Sequence, residues 1–563
     1  MTATDWNGRL VRYPAERAER YRASGEWSDV PVGGRLHEVA ARFGDRTALI
    51  TNEGKLTYRE LDQRTDQIAV GLRRLGLNRL DPVLFQVTNR QATALAWYGA
   101  IKAGLVPVAT LAQHRMHEIG HISRKVGAKA HLVEAGLNFD LVEFAKHAAD
   151  GHDTLGTILT IGEFTSAEKT HRIEDLGTDI DAATARSFVE GVEAETNPED
   201  VVVFQLSGGT TGVPKVIPRI HAEYWNNALM YAEALGWNRD SVIAHIGGPL
   251  IHNAGITCSL HGSHSVGAAL VLANPDVVPA FALMADNGAT DVIIGHGLYQ
   301  ALLMPEFDPV LRTLKRSVLS GAKVPPELFR RVDDGVSRWA GQLFGMSEGM
   351  FLVSRSDDPE STRRSTVGTP IGPSDEIRIL DPGGEAEVPD GVVGELCCRG
   401  AYTITGYFDA SEHNEKAFTA DGFYRTGDLA AVRMVDGRRY ISIEGRIKDL
   451  INRGGEKVNA EEVEVLLMKH ADIALASVVA MPDKRLGEKA CAFLVSATGA
   501  ELTLSEVQQH MDGLGVAKYK WPERLIWVPE LPTTHVGKID KKRLRADAAR
   551  QRKASLALEG AEK

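Results

Sequence analysis

The sequence predicts an α/β protein: a large N-terminal domain of two parallel-rich α/β subdomains plus a β-rich subdomain, followed by a small mobile α+β C-terminal domain. Three observations predict it. Short apolar runs alternate with helix-compatible stretches through the first 300 residues, turn residues thicken near residue 381, and a helix followed by strands begins past residue 447. A chain of 563 residues also exceeds what one hydrophobic core organises.

In chain order, Leu56-Thr57-Tyr58-Arg59-Glu60-Leu61 onward to Leu72 has helical periodicity, and Pro82-Val83-Leu84-Phe85-Gln86-Val87 reads as a strand. Val201-Val202-Val203-Phe204-Gln205-Leu206, Ala269-Leu270-Val271-Leu272 and Asp291-Val292-Ile293-Ile294 are each short, β-rich and followed by a helix-compatible stretch. That alternation predicts parallel sheets covered by helices. Around Asp381-Pro382-Gly383-Gly384 the pattern turns to short strands, through Gly394-Glu395-Leu396-Cys397-Cys398-Arg399-Gly400 and Arg439-Tyr440-Ile441-Ser442-Ile443, which predicts a more antiparallel region. After Gly445-Arg446-Ile447-Lys448-Asp449 come a helix over Ala460 to Leu467, strands near Ser477 to Ala480 and Ala490 to Val495, and a charged helical tail. The expected domains are therefore 1–446 and 447–563.

Composition narrows the class. With 43% hydrophobic and 25% charged residues, the chain reads as a soluble globular protein rather than a disordered, collagenous or coiled-coil one. A formal charge of −11 argues against a nucleic-acid-tracking surface. The four cysteines, Cys258, Cys397, Cys398 and Cys491, form no CxxC pair, as expected in a reducing cytoplasm. No basic leader and no run approaching ~18 apolar residues is found, so neither export nor a membrane partner is expected.

One loop stands out. Ser207-Gly208-Gly209-Thr210-Thr211-Gly212-Val213-Pro214-Lys215 follows an apolar strand with glycines that let backbone N–H groups approach an anion, hydroxyls that donate, and a lysine. Such clusters are also common surface turns. The spacing is neither GxxxxGK[ST] nor GxGxxG, so Walker-type and dinucleotide sites are not indicated.

The loop in full resembles the phosphate loop of the adenylate-forming superfamily of acyl-CoA synthetases, nonribosomal-peptide adenylation domains and luciferases. Further motifs follow in that family's order. They are Ile101-Lys102-Ala103-Gly104-Leu105-Val106-Pro107-Val108, Phe344-Gly345-Met346-Ser347-Glu348, Tyr424-Arg425-Thr426-Gly427-Asp428, the hinge-like Gly445-Arg446-Ile447-Lys448-Asp449 and Pro532-Thr533-Thr534-His535-Val536-Gly537-Lys538-Ile539-Asp540. The resemblance covers residues 50 to 545 and implies the adenylation of a carboxylic acid by ATP with Mg²⁺. It makes Lys538 the catalytic cation between carboxylate and α-phosphate, with His252 a second catalytic candidate. Ser207, Gly208, Gly209, Thr210, Thr211, Gly212 and Lys215 would bind phosphate. Gly321, Ala322, Phe344, Gly345, Met346, Asp428 and Arg446 would bind adenine and ribose, Glu348 the metal, and Lys448 would be the hinge between two half-reactions. Arg453-Gly454-Gly455-Glu456-Lys457 would help form the thiol tunnel.

Within the superfamily, His252-Asn253, Gly321-Ala322-Lys323 and Ile451-Asn452-Arg453-Gly454-Gly455-Glu456-Lys457-Val458 are most similar to the stand-alone aryl-acid AMP ligases. An amide at Asn253 suits an ortho hydroxyl or amino group and cannot salt-bridge an amino-acid ammonium. Cys258 suits a ring without a 3-hydroxyl, as in salicylate, or is simply a small buried hydrophobe. His296 suits a further ring substituent, as in 3-hydroxyanthranilate, or is a structural histidine. Ala254-Gly255 and Gly295-His296-Gly297 depart from the family pattern and reshape the pocket. The resemblance thus implies an ortho-substituted aryl acid of salicylate, 2,3-dihydroxybenzoate or 3-hydroxyanthranilate type. It also implies transfer to a carrier-protein phosphopantetheine in siderophore or other natural-product biosynthesis. Transfer to free CoA and a non-catalytic nucleotide-binding homologue are the rival readings.

Overall fold

The computed structural model describes residues 3–164, 169–207, 214–274, 276–321, 324–453, 456–483, 485–534 and 539–561. It divides into two compact units, Met1–Glu376 with Cys398–Tyr424, and Ile377–Cys397 with Arg425–Lys563. The expected 446/447 boundary concerns a division inside the second of these.

The first unit is built on two large sheets. One has seven strands in the order Thr170–Arg172, Thr157–Ile161, Ala130–Glu134, Pro82–Gln86, Val106–Val108, Val201–Leu206 and Val216–Ile220. All neighbours are parallel except the last pair. The other has nine strands, and Thr47–Thr51, Ala269–Leu272, Val242–His245, Asp291–Gly295, Arg316–Ser320 and Trp339–Gly345 form its parallel centre. Their near-continuous apolar runs are buried because helices cover both faces of such sheets.

Two local readings change. Leu56 and Thr57 end a strand, Gly54–Thr57, that pairs with Thr47–Thr51, so the helix starts at Tyr58 and runs to Arg74. Thr57 and Glu60 form a capping box that supplies its start signal. Likewise, Val201–Leu206 is followed not by a helix but by the antiparallel strand Val216–Ile220, with Leu206 opposite Val216. The Ser207 to Lys215 loop is thus the tip of a hairpin.

Most of a four-stranded sheet lies in the second unit, ordered Glu376–Leu380, Gly394–Arg399, Tyr424–Val435 and Arg438–Arg446, and its last two strands pair antiparallel in the region where an antiparallel pattern is expected. A smaller α+β assembly follows in the chain, with strands Leu450–Arg453, Glu456–Asn459, Ile473–Asp483, Gly487–Ser496 and Arg524–Trp527. Asn459 caps the helix Ala460–Leu467, whose Val463 and Leu467 pack with Ile451, Val478 and Leu494. The helix Lys541–Ala561 forms the charged tail. Among the described residues no helix is long and apolar enough to cross a membrane.

The motif at Ile101 to Val108 acquires a structural meaning. Lys102 ends the helix Gln91–Lys102, buried from Ala92 onward, and its ammonium lies 2.6 Å from both Asp62 and Asp66 on the neighbouring helix. Removing one partner from a buried ionic cluster leaves uncompensated charge. Lys102→Ala is therefore expected to lower unfolding stability by about 3–5 kcal/mol, read from urea denaturation, with partial recovery when Asp66 is also made Asn.

Candidate active site

The sites expected in the first unit gather at the carboxyl ends of parallel strands, where open α/β sheets bind ligands. His252 and Asn253 follow Val242–His245, His296 follows Asp291–Gly295, Gly321 follows Arg316–Ser320, and Phe344, Gly345 and Met346 lie at or just past the end of Trp339–Gly345. Gly295 is opposite Ser320, which brings His296 beside Gly321. Gly321 has φ +95°, and a Cβ there would lie 3.5 Å from His296. The His296 ring meets Tyr299 edge-on at 5.4 Å.

Two hydrogen bonds close the base of the hairpin loop. Ser207 N–H donates to the Lys215 carbonyl (3.0 Å), and Lys215 N–H donates to Ser207 Oγ (3.0 Å). Gly208, Gly209, Thr210, Thr211 and Gly212 lie outside the described residues, as do Ala322, Lys323, Gly454, Gly455 and Lys538. Lys215 Nζ sits 5.3 Å from the centre of the Tyr407 ring. The Tyr407 hydroxyl donates to Glu348 Oε1 (2.7 Å) and lies 2.9 Å from the Tyr424 hydroxyl. Burial first, and the Glu348 charge next, push the Tyr407 pKa well up, so the phenol stays a donor. One tyrosine therefore joins the loop lysine to the expected metal-binding carboxylate. Its segment is placed by Phe408 N–H donating to the Val216 carbonyl and Ile404 N–H to that of Glu348.

Asn253 is buried, and it shares an arginine with the Phe344 to Glu348 motif. Arg219, 1% exposed, chelates Glu223 through Nε and Nη2 (2.8 and 2.7 Å). Its Nη1 donates to Asn253 Oδ1 (3.3 Å) and the Ser347 carbonyl (3.1 Å), and its Nη2 to the Tyr402 carbonyl (3.2 Å). Burial alone would lower the guanidinium pKa, but the Glu223 carboxylate overrides it and holds it above its ordinary value. Asn253 Oδ1 also accepts from Thr257 Oγ1 (3.4 Å), whereas its buried Nδ2 has no hydrogen-bond partner among the described residues.

Asn253–Gly255 runs into a π-helical turn, Ile256–Leu260, that carries the fully buried Cys258. Burial pushes the Cys258 thiol pKa far up, which keeps it an unreactive, weakly polar group. His252 Nδ1 accepts from Ala254 N–H (3.4 Å) and so caps this segment. Gly255 is required sterically, since a Cβ there would come within 2.3 Å of the Leu250 carbonyl.

The second unit holds the remaining candidates. Asp428 is paired with Arg446 across the hairpin, Oδ1 to Nε at 3.0 Å. Gly445 has φ +135°, and a side chain there would strike Asn459. Burial, then the Arg446 charge, lowers the Lys448 pKa. Arg545 donates to the Lys448 carbonyl (3.2 Å) and to Asp449 Oδ1 (3.0 Å). The loop that contains Lys538 is closed at its base by the Thr533–Ile539 bridge.

The AMP-binding enzyme family matches residues 36–408, and the AMP-binding enzyme C-terminal domain matches residues 462–538. The chain belongs to the AMP-binding enzyme family. It is 38% identical to a Streptomyces protein named salicylyl-CoA synthase / salicylate adenylyltransferase, over 95% of this chain and 97% of that protein. It is also 38% identical to the salicyl-AMP ligase / salicyl-S-ArCP synthetase of Mycobacterium tuberculosis, over 95% and 94%. The apo structure of Mycobacterium smegmatis MbtA is similar across 96% of this chain and 99% of that one, with 35% identity and a TM-score of 0.71.

For this AMP-binding enzyme, sequence reasoning missed Arg219, Glu223 and Tyr407. Tyr407→Phe removes a hydrogen bond to a charged group and keeps the ring. It is expected to weaken ATP binding about tenfold in titration calorimetry, and Tyr407→Leu, which also loses the ring face, more. Wild-type affinity in Tyr407→Phe would remove the hydroxyl from the account.

Proposed function

We propose that this chain adenylates an ortho-substituted aromatic carboxylic acid with ATP, releasing pyrophosphate, and then passes the aryl group to a phosphopantetheine thiol. The chain is an ATP-dependent ligase, and the proposal concerns its acid, its acceptor and its residues. The observation that carries it is Asn253: a buried amide with an unused N–H₂, attached through Arg219 to the carbonyl of Ser347 in the expected nucleotide motif. An uncharged amide suits a ring substituent beside the carboxylate, not an ammonium. The buried, weakly polar Cys258 favours salicylate over 2,3-dihydroxybenzoate, and His296 beside Gly321 would face a more distant substituent of the 3-hydroxyanthranilate kind.

In this reading the carboxylate oxygen attacks the α-phosphorus as pyrophosphate leaves, and the protein supplies positioning and positive charge. Lys538 bridges the two anions in the transition state. His252 is assigned to the acid-facing side as a second catalytic group. Ser207, Lys215 and the residues 208–212 cradle phosphates. Phe344, Gly345, Met346, Gly321 and Ala322 hold the adenine, and Asp428 with Arg446 the ribose. Glu348, a buried carboxylate already receiving a phenol hydrogen bond, has the hard oxygen chemistry that suits Mg²⁺. That ion, held there and by phosphate oxygens, would neutralise phosphate charge.

The functional boundary is placed at 446/447, with Lys448 as the hinge that turns residues 447–563 between adenylation and thioester formation. The acceptor is assigned to a carrier protein of cytoplasmic siderophore or other natural-product biosynthesis. The Streptomyces relative, whose name carries CoA, supports free CoA as the second reading.

The test is acid-dependent ATP–pyrophosphate exchange with salicylate, 2,3-dihydroxybenzoate, 3-hydroxyanthranilate and benzoate. The ortho-substituted acids are expected to exceed benzoate, and equal rates would sink the role of Asn253. Lys538→Ala is expected to abolish exchange while largely sparing thioester formation from supplied aryl adenylate. Equal loss of both steps would contradict the division of labour.

A further inference from the structure

We infer that Arg219 sets the polarity of the acid site: by taking Asn253 Oδ1, it leaves the amide able only to donate, so the site selects an ortho oxygen over an ortho amino group. The inference rests on the aryl-acid reading above and narrows it to 2-hydroxy acids.

Arginine has five N–H donors and no acceptor. Here all five have partners: Nε with Glu223 Oε1, Nη2 with Glu223 Oε2 and the Tyr402 carbonyl, and Nη1 with the Ser347 carbonyl and Asn253 Oδ1. A guanidinium so held has no freedom to re-aim. The orientation of the Asn253 amide follows from chemistry, because only its oxygen can face a donor. Turning it over would set N–H₂ against N–H and strand a buried arginine donor, which disfavours the flipped form roughly ten- to hundredfold. Thr257 Oγ1, 3.4 Å from the same oxygen, can donate to it and so is compatible with this orientation, which Arg219 sets.

What remains for a ligand is Nδ2, buried and without a hydrogen-bond partner among the described residues. A salicylate-type acid answers it. The phenol proton of salicylate is directed to its own carboxylate, which leaves the phenolic oxygen free to accept from Nδ2. In anthranilate the amino group keeps an outward N–H, and its lone pair is delocalised into the ring, so donor would meet donor. Arg219 touches no part of the acid in this scheme; it is a positioning residue that acts through Asn253.

The experiment compares kcat/KM for salicylate and anthranilate in ATP–pyrophosphate exchange by the full-length chain. Wild type is expected to favour salicylate by at least about tenfold. Asn253→Asp places an acceptor where Nδ2 stood, and should move the preference towards anthranilate by about a hundredfold. Arg219→Lys keeps the charge against Glu223 but loses the planar fork, so the amide can turn and the salicylate:anthranilate ratio should fall at least about tenfold. An unchanged salicylate:anthranilate ratio in folded Arg219→Lys overturns the role of Arg219; should that variant fail to fold, Arg219→Gln, which removes the charge but keeps a planar donor, takes its place. Equal use of both acids by wild type, or an unchanged preference in Asn253→Asp, overturns the inference. Failure of wild type to activate any aryl acid would instead overturn the underlying reading.

Discussion

The first unit is organised around one buried guanidinium. Arg219 leaves the strand Val216–Ile220, is bound by Glu223 on the next helix, and satisfies its remaining donors on Asn253, Ser347 and Tyr402. A charge removed from water is tolerated only where every donor finds an acceptor. That demand fixes four stretches of chain far apart in sequence. The strand that bears Arg219 also closes the hairpin whose tip is the expected phosphate loop. The amide proposed to read the acid and the motif expected to read the nucleotide are therefore held in register by desolvation rather than by loop stiffness. Two anionic substrates that must meet at one atom need such a fixed separation.

Tyr407 applies similar economy to charge. It takes the Glu348 carboxylate through its hydroxyl and the Lys215 ammonium through its ring face. A neutral side chain thereby holds groups of opposite sign near one another, and burial keeps the phenol protonated while it does so. Both nodes use a donor whose protonation state is secure near neutral pH.

Much of this was legible in the sequence, for identifiable reasons. The parallel strands showed because buried strands must be apolar along their whole length, and the candidate residues showed because their motifs resemble those of a known family in the same order. Arg219 was hidden by the same rule: in Val216-Ile217-Pro218-Arg219-Ile220 a lone arginine reads as the polar interruption of an apolar strand. Its meaning lies in partners 34, 128 and 183 residues away. Tyr407, 59 residues from Glu348, was hidden likewise. The π-helical turn under Cys258 left no periodic trace, because five residues are too few to show a period. At Leu56 the helical spacing was real but yielded to strand pairing, which a capping box at Thr57 then ended.

The hinge assigned to Lys448 gains a mechanical condition from the second unit. Arg545 grips the Lys448 carbonyl and the Asp449 carboxylate, and it belongs to the helix Lys541–Ala561, which starts just after the loop that contains Lys538. The peptide beyond Lys448 is thus strapped to the element that follows the assigned catalytic lysine. On the other side, Asp428 holds Arg446 across the hairpin. Between these two anchors lie only Ile447 and the backbone of Lys448. A hinge confined to so few bonds would turn the helix Lys541–Ala561 with it, because Arg545 ties that helix to the peptide at and just beyond Lys448.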